Sequence, residues 1–221
     1  MRGRFITFEG GEGTGKSSHS AMLAERLNAR GISVRRTREP GGTVGAEILR
    51  HILLSGAAQP FGPAAEAILF AAARDDHLNL VIRPALERGE WVVCDRFIDS
   101  TRVYQGILGQ VPPPIIRALE RIVVEDTIPD LTFILDVPAE VGLRRSLERR
   151  GQADADRFEQ EALAFHETLR RGFRAVAAAE PERCVLIDTL APQHEVAERI
   201  WHVVEERLLK PATSEHATVA P

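Results

Sequence analysis

Three features of the sequence predict an α/β fold: a five-stranded parallel sheet with helices on both faces, three layers in all. Short apolar runs alternate with longer segments of helical period, the pattern of strands joined by crossover helices. Runs such as Trp91-Val92-Val93-Cys94 lack the polar alternation of a half-exposed strand, so the sheet they enter is covered on both sides. The first apolar run leads directly into a glycine-rich loop that opens a helix.

In chain order the apolar runs place strands at 5–9, 33–37, 91–95, 131–137 and 184–188. Segments of helical period fall at 16–30, 43–54, 64–88, 114–125, 139–150, 157–179 and 193–209. In parallel sheets ligands bind beyond the carboxyl ends of the strands. Glu9, Glu39, Asp95, Asp136 and Asp188 all stand at or near such ends.

The 221 residues fit a single domain over 1–210, with no internal repeat and no need of a second domain. Residues 151–156 read as an exposed, mobile loop between two helical runs. The tail 211–221 is small, polar and proline-flanked, and is expected to be disordered. An apolar fraction of 44% and a charged fraction of 27% are those of an ordinary soluble globule. A net charge of -4 argues against a general nucleic-acid binder. No apolar stretch is long enough to span a bilayer, and the start leads straight into a strand with no signal-like apolar core. A cytoplasmic chain with no membrane partner is therefore expected. Cys94 and Cys184 each lie in an apolar run with no metal-ligand spacing to histidine, so both are expected to be buried, reduced thiols. Lysine occurs only at Lys16 and Lys210, against many arginines, which singles out Lys16.

Gly10-Gly11-Glu12-Gly13-Thr14-Gly15-Lys16-Ser17 satisfies the phosphate-loop pattern, with glycine, four residues and then Gly-Lys-Ser, between a strand and a helix. Its glycines let successive backbone N–H groups face an anion, and the helix that follows adds its positive end. Lys16 can reach the β- and γ-phosphates of a nucleotide, Ser17 can ligate Mg²⁺, and Ser18 follows on the helix. This places the chain among the P-loop nucleotide-binding folds. A GTPase is unsupported: neither Asn28 nor Asn79 is followed by lysine, and no D-x-x-G switch follows the loop.

Three more motifs follow: Thr37-Arg38-Glu39-Pro40-Gly41-Gly42-Thr43 after the second strand, Leu69-Phe70-Ala71-Ala72-Ala73-Arg74-Asp75-Asp76-His77 in the long middle helix, and Asp95-Arg96-Phe97 with 98–106 after the third strand. Phe70 and Arg74 are four apart and share a helix face, where a ring can stack on a base and a guanidinium can donate to it. Spacing alone equally fits a core phenylalanine with a surface arginine. Arg96, at a strand end beside the loop, can grip a monophosphate bidentately or form a buried salt bridge with Glu39 or Asp95. Arg50 is a second phosphate ligand or a solvated helix arginine. Glu12 either meets the ligand or is an exposed loop carboxylate.

The joint order of these motifs, from Phe5 to about Asp188, resembles the thymidylate kinase family of P-loop nucleoside monophosphate kinases. The resemblance implies transfer of the γ-phosphoryl of ATP to dTMP, with Mg²⁺, in dTTP synthesis. It assigns Arg74 to the thymine O4, Phe70 to stacking, Arg96 to the acceptor phosphate and Asp95 to the Mg²⁺ or catalytic shell with Ser17. Tyr104, the single tyrosine, then lies against the sugar, Gln105 touches base or sugar, and Glu12 accepts from the 3′-OH; Glu39, Arg50 and Ser100 complete the dTMP set. Val103 stands where the family usually has alanine, and Phe97 where it often has tyrosine. The arginine-rich run 144–150 feeding 151–157 resembles the family's lid, whose arginine neutralises the transferring phosphoryl. Arg150 is the first candidate and Arg149 the second; a solvated basic face is the alternative. A homodimer is also implied.

Overall fold

Every residue of β1 (Phe5–Gly10) and of β4 (Leu131–Asp136) is buried, as runs without polar alternation require. Both lie inside one parallel sheet with β2 (Val34–Arg38), β3 (Trp91–Asp95) and β5 (Cys184–Asp188), in the order β2-β3-β1-β4-β5. The computed structural model describes residues 2–150, 158 and 161–210, with Arg150 through its backbone only. The expected tail 211–221 and the loop 151–156 therefore lie outside the described residues.

Side chains alternate between two cores. Ile6, Phe8, Val93, Leu131, Phe133 and Leu135 face α1 (Lys16–Ala29) and α9 (Gln193–Val204), meeting Leu23, Leu27, Val196, Ile200 and Trp201. Phe5, Val92 and Cys94 face the other way, toward Leu78, Ile82, Leu86 and Ile98. Thr7 and Thr132 pair across that same face at 2.7 Å, which leaves no buried hydroxyl unsatisfied there. Both thiols are free and buried, as expected, and burial pushes Cys184 up to about 12. At the sheet edge β2 exposes Arg35, Arg36 and Arg38, charges that discourage pairing with another strand.

The remaining helices are α2 (Val44–Leu54), α3 (Gly62–His77), α4 (Arg83–Glu87), α5 (Ile98–Thr101), α6 (Pro113–Val123), α7 (Ala139–Arg150) and α8 (Leu163–Ala179). Three expectations need correction. The helix expected over 64–88 is broken by a π-helical turn, Leu78–Ile82, just before Pro84. Proline has no N–H and its ring would strike the carbonyl four residues back, so the wider turn relieves the clash. The helix expected from 157 begins at Leu163, since Ala162 has extended dihedrals. Periodicity predicts no helix over 98–108, yet α5 and a π-helical segment, Arg102–Leu108, fill it.

Because β2, β3 and β1 are neighbours, the loops leaving their carboxyl ends converge. The loop after β1, residues 39–43 after β2 and residues 96–97 after β3 meet at one edge of the sheet. Glu39 N donates to Asp95 O and Arg96 N to Phe8 O, both at 2.9 Å, extending the ladders into that edge.

Candidate active site

The glycine loop curls through positive φ at Gly13 (66°) and Gly15 (90°), the latter capping α1. Thr14 Oγ1 and Lys16 Nζ both donate to the Gly11 carbonyl, at 3.0 and 2.6 Å. Lys16 is buried, and that burial together with the Arg96 charge lowers its pKa to about 8, against the pull of Glu12 and Asp95. Ser17 and Ser18 lie exposed in the first turn of α1. Ser17 Oγ donates to the Asp95 carboxylate, so two oxygen donors meet at the mouth of the loop. Mg²⁺ takes oxygen ligands, few of them from protein when phosphates are present, and this pair fits it. A Cβ on Gly13 would overlap the Gly142 carbonyl, and one on Gly142 the Glu12 carbonyl, so α7 packs backbone to backbone on the loop.

Beside the loop lies an open cavity walled by α2, α3 and the segment after β3. All nine residues the sequence reading named for the acceptor line it: Glu12, Glu39, Arg50, Phe70, Arg74, Arg96, Ser100, Tyr104 and Gln105. Arg74 is buried: Nε donates to Glu39 Oε2 at 2.7 Å, and Nη2 to Phe97 O at 3.0 Å and Thr101 Oγ1 at 3.1 Å. The surface-arginine alternative is thereby excluded. His77 Nδ1 sits 3.1 Å from Glu39 Oε1 and its Nε2 is 2.7 Å from Thr37 Oγ1. Glu39 thus has both oxygens engaged, which makes it a holder of Arg74 rather than an obvious ligand itself.

Arg96 pairs with neither Glu39 nor Asp95. Its Nη2 donates to Glu12 Oε1 at 2.6 Å, and its Nη1 to Gly10 O at 3.1 Å and Ser100 Oγ at 3.3 Å. Glu12 is accordingly no exposed loop carboxylate. Burial would raise its pKa, but Arg96, Lys16, the Tyr104 hydroxyl at 3.3 Å and Arg149 outweigh it and hold Glu12 at about 2. The Arg96 guanidinium also stands 5.4 Å from the Tyr104 ring centre, and that ring meets Phe158 edge-on at 4.9 Å. Arg50, from α2, donates Nη1 to Pro40 O at 2.7 Å at the cavity wall.

On α7, Arg149 Nη2 donates to Ser146 Oγ at 3.1 Å. The Arg150 side chain and the lid segment 151–157 lie outside the described residues. Two other strand-end carboxylates have partners within the chain: Asp136 binds Arg170 and Arg174 at 2.8 Å, and Asp188 accepts from Leu190 N. Sequence reasoning missed Pro40, Leu54, Phe97, Thr101 and Phe158 in the cavity wall, and the holding role of His77. The sequence placed Glu9 at a strand end but gave it no role; it lies fully buried below the loop, and burial and Asp99 raise its pKa to about 7. Its one signal was a carboxylate at the end of an otherwise apolar strand.

A family model described as Thymidylate kinase matches residues 8–200. A thymidylate kinase of Nitrobacter winogradskyi is 57% identical, aligned over 100% of this chain and 94% of its own length. One of Bradyrhizobium diazoefficiens is also 57% identical, over 94% of this chain and 91% of its own. The crystal structure of thymidylate kinase from Ehrlichia chaffeensis superposes with a TM-score of 0.74 at 32% identity, covering 92% of this chain and 100% of that one.

Proposed function

This chain belongs to the thymidylate kinase family, and we propose that its site carries the γ-phosphoryl of Mg²⁺-bound ATP to dTMP in line, yielding ADP and dTDP for dTTP synthesis. The observation that carries this reading is one guanidinium shared by two loops. Arg96 bonds the Gly10 carbonyl of the glycine loop and lines the neighbouring cavity, so a donor and an acceptor phosphate would meet at it.

The backbone N–H groups of Gly10, Gly11, Glu12, Gly13, Thr14 and Gly15, with Lys16, Ser17 and Ser18, hold the triphosphate. When bound, Mg²⁺ supplies charge neutralisation between the phosphates, with Ser17 and Asp95 as its protein ligands. On the acceptor side Arg74 donates to the thymine O4 while Phe70 stacks on the ring, and Glu39 fixes Arg74 in place. Tyr104 and Gln105 meet sugar and base, Glu12 accepts from the 3′-OH, and Arg96, Arg50 and Ser100 hold the 5′-phosphate. An acceptor oxygen attacks the γ-phosphorus, the bond to the β–γ bridging oxygen breaks, and ADP leaves with that electron pair. No covalent enzyme intermediate is needed, since catalysis is positioning plus electrostatics. Arg149 or Arg150, from the lid, meets the charge on the moving group.

The partners are ATP and dTMP, with no nucleic acid or membrane. A cytoplasmic setting is part of the proposal; among the described residues no helix is long and apolar enough to cross a membrane. A homodimer is supported by large apolar side chains exposed on α2, α3 and α6, among them Val44, Ile48, Ile68 and Ile122. Sedimentation at micromolar concentration tests it: a monomer there removes that part.

The decisive assay is coupled ADP release with ATP, Mg²⁺ and a panel of monophosphates. Preferred turnover of dTMP supports the proposal. Slow hydrolysis indifferent to added dTMP, as a nucleotide-dependent switch would give, sinks it.

A further inference from the structure

Glu9 is the last side chain before the glycine loop, and it is completely buried. No salt bridge reaches it among the described residues; its three hydrogen bonds all go to the segment after β3. Oε1 accepts from Phe97 N at 2.7 Å and from Ser100 N at 3.2 Å, and Oε2 accepts from Ser100 Oγ at 2.6 Å. Phe97 is the residue before α5, and no side chain of its own segment caps that helix. Glu9 is therefore the cap, supplied from a neighbouring strand, and its charge lies at the helix's positive end.

Among the described residues of the site, the capped segment holds the one non-glycine backbone in the left-handed region. Arg96 has φ 71°, a region that disfavours any residue with a Cβ. Glycine would take it without penalty, yet the position holds the guanidinium that bonds Gly10 and Glu12. Such a conformation persists only when its surroundings over-determine it. Here Arg96 N is tied to Phe8 O on one side, and the next amide, Phe97 N, is tied to Glu9 on the other. Ser100 Oγ completes the link, since it donates to Glu9 and accepts from Arg96 Nη1. Glu9 and Gly10 are consecutive, so one carboxylate ties the acceptor arginine to the start of the donor loop. Asp99, Arg96 and Lys16 are the charged groups whose fields reach it.

We propose that Glu9 is a positioning residue that touches neither nucleotide: its carboxylate clamps 96–100 so that the Arg96 guanidinium stands at a set distance from the glycine loop. The inference rests on the reading of Arg96 as a ligand of the acceptor phosphate. It makes hydrogen-bond reach the essential property of Glu9, and charge a secondary one. A catalytic base or a metal ligand would need the charge instead.

Glu9→Gln and Glu9→Asp separate the two. Glutamine keeps the length, an oxygen for the two amides and an N–H₂ group for Ser100 Oγ. Aspartate keeps the charge but is one methylene short. Steady-state kinetics with each substrate varied in turn should show KM for dTMP raised about tenfold or more in Glu9→Asp, with KM for ATP within about twofold. In Glu9→Gln both should stay within about threefold of the parent enzyme. The assignment is overturned if glutamine is the more damaging change, or if both KM values rise together in aspartate. Should Glu9→Asp fail to fold by circular dichroism, Glu9→Gln decides alone: a folded variant that loses turnover about a hundredfold overturns the clamp, and near-normal kinetics support it. Arg96→Ala is the control for the parent reading. An unchanged KM for dTMP there removes the premise, and the clamp with it. A raised KM in Arg96→Ala beside a normal Glu9→Asp removes the clamp alone.

Discussion

The two halves of the cleft are built from different material. On the proposed donor side a phosphate would meet backbone: a loop of glycines, a helix end and one lysine, all within residues 10–18. On the proposed acceptor side it would meet side chains brought from five separate segments and held by partners elsewhere. Arg74 leans on Glu39, Glu39 on His77, His77 on Thr37, and Arg96 on Glu12 and Ser100. Backbone donors need only the right turn and carry no substrate identity. Buried guanidiniums have fixed directions, which would let them read one base and one phosphate as proposed, at the cost of a network that fails when any member is lost.

That contrast can be broken most severely from a third place, the lid. Replacing both Arg149 and Arg150 by alanine should lower kcat by roughly 10³ or more, by analogy with arginine fingers, while KM for dTMP changes little. Normal turnover in the double variant would end the lid assignment. Arg96→Ala should come next, reducing kcat/KM for dTMP by about 10²–10³, since it also leaves Glu12 without its cation. KM for ATP should move far less, and an equal rise in both would mean the two sides are not separable. Arg74→Lys keeps the charge but cannot span Glu39, Phe97 O and Thr101 at once. A loss of about 1–3 kcal/mol in stability and about tenfold in KM for dTMP is expected, read by urea unfolding and kinetics.

The same contrast explains what the sequence discloses. The loop's chemistry depends on residues that are consecutive, so spacing alone reveals Lys16 and Ser17. The central strands β1, β3 and β4 are equally plain because their burial on both faces leaves no polar alternation. The acceptor residues become identifiable only as a set, through the joint order of the motifs, because Phe70 and Arg74 at helical spacing fit an ordinary core as well. Their supports are hidden: nothing local tells that His77 answers to Glu39, 38 residues earlier, or that Glu9 caps a helix 88 residues away. Helix 98–108 escaped because its residues are chosen for the site, with β-branched Ile98, Thr101 and Val103 where a helix formed for its own sake would not place them.

Glu9 and Glu12 carry the contrast into acid and offer its smallest, most diagnostic test. They flank two glycines, and their surroundings drive them apart: Glu12 down to about 2 by Arg96 and Lys16 against its burial, Glu9 up to about 7 by burial and Asp99. Both start from 4.5 in the open chain. Lowered in the fold, Glu12 contributes stability that is complete above 4.5 and lost as pH falls toward 2, at most roughly 3 kcal/mol. Raised in the fold, Glu9 contributes stability that is complete below 4.5 and lost as pH rises through 7. Wild-type stability relative to Glu9→Gln should therefore increase on titrating from pH 8 to 4.5, and relative to Glu12→Gln should decrease from 4.5 to 2. Urea midpoints across pH 2–8 for the three proteins measure both slopes. Slopes of the same sign would show that the two carboxylates share one environment, and that the boundary between donor loop and acceptor clamp does not run between them.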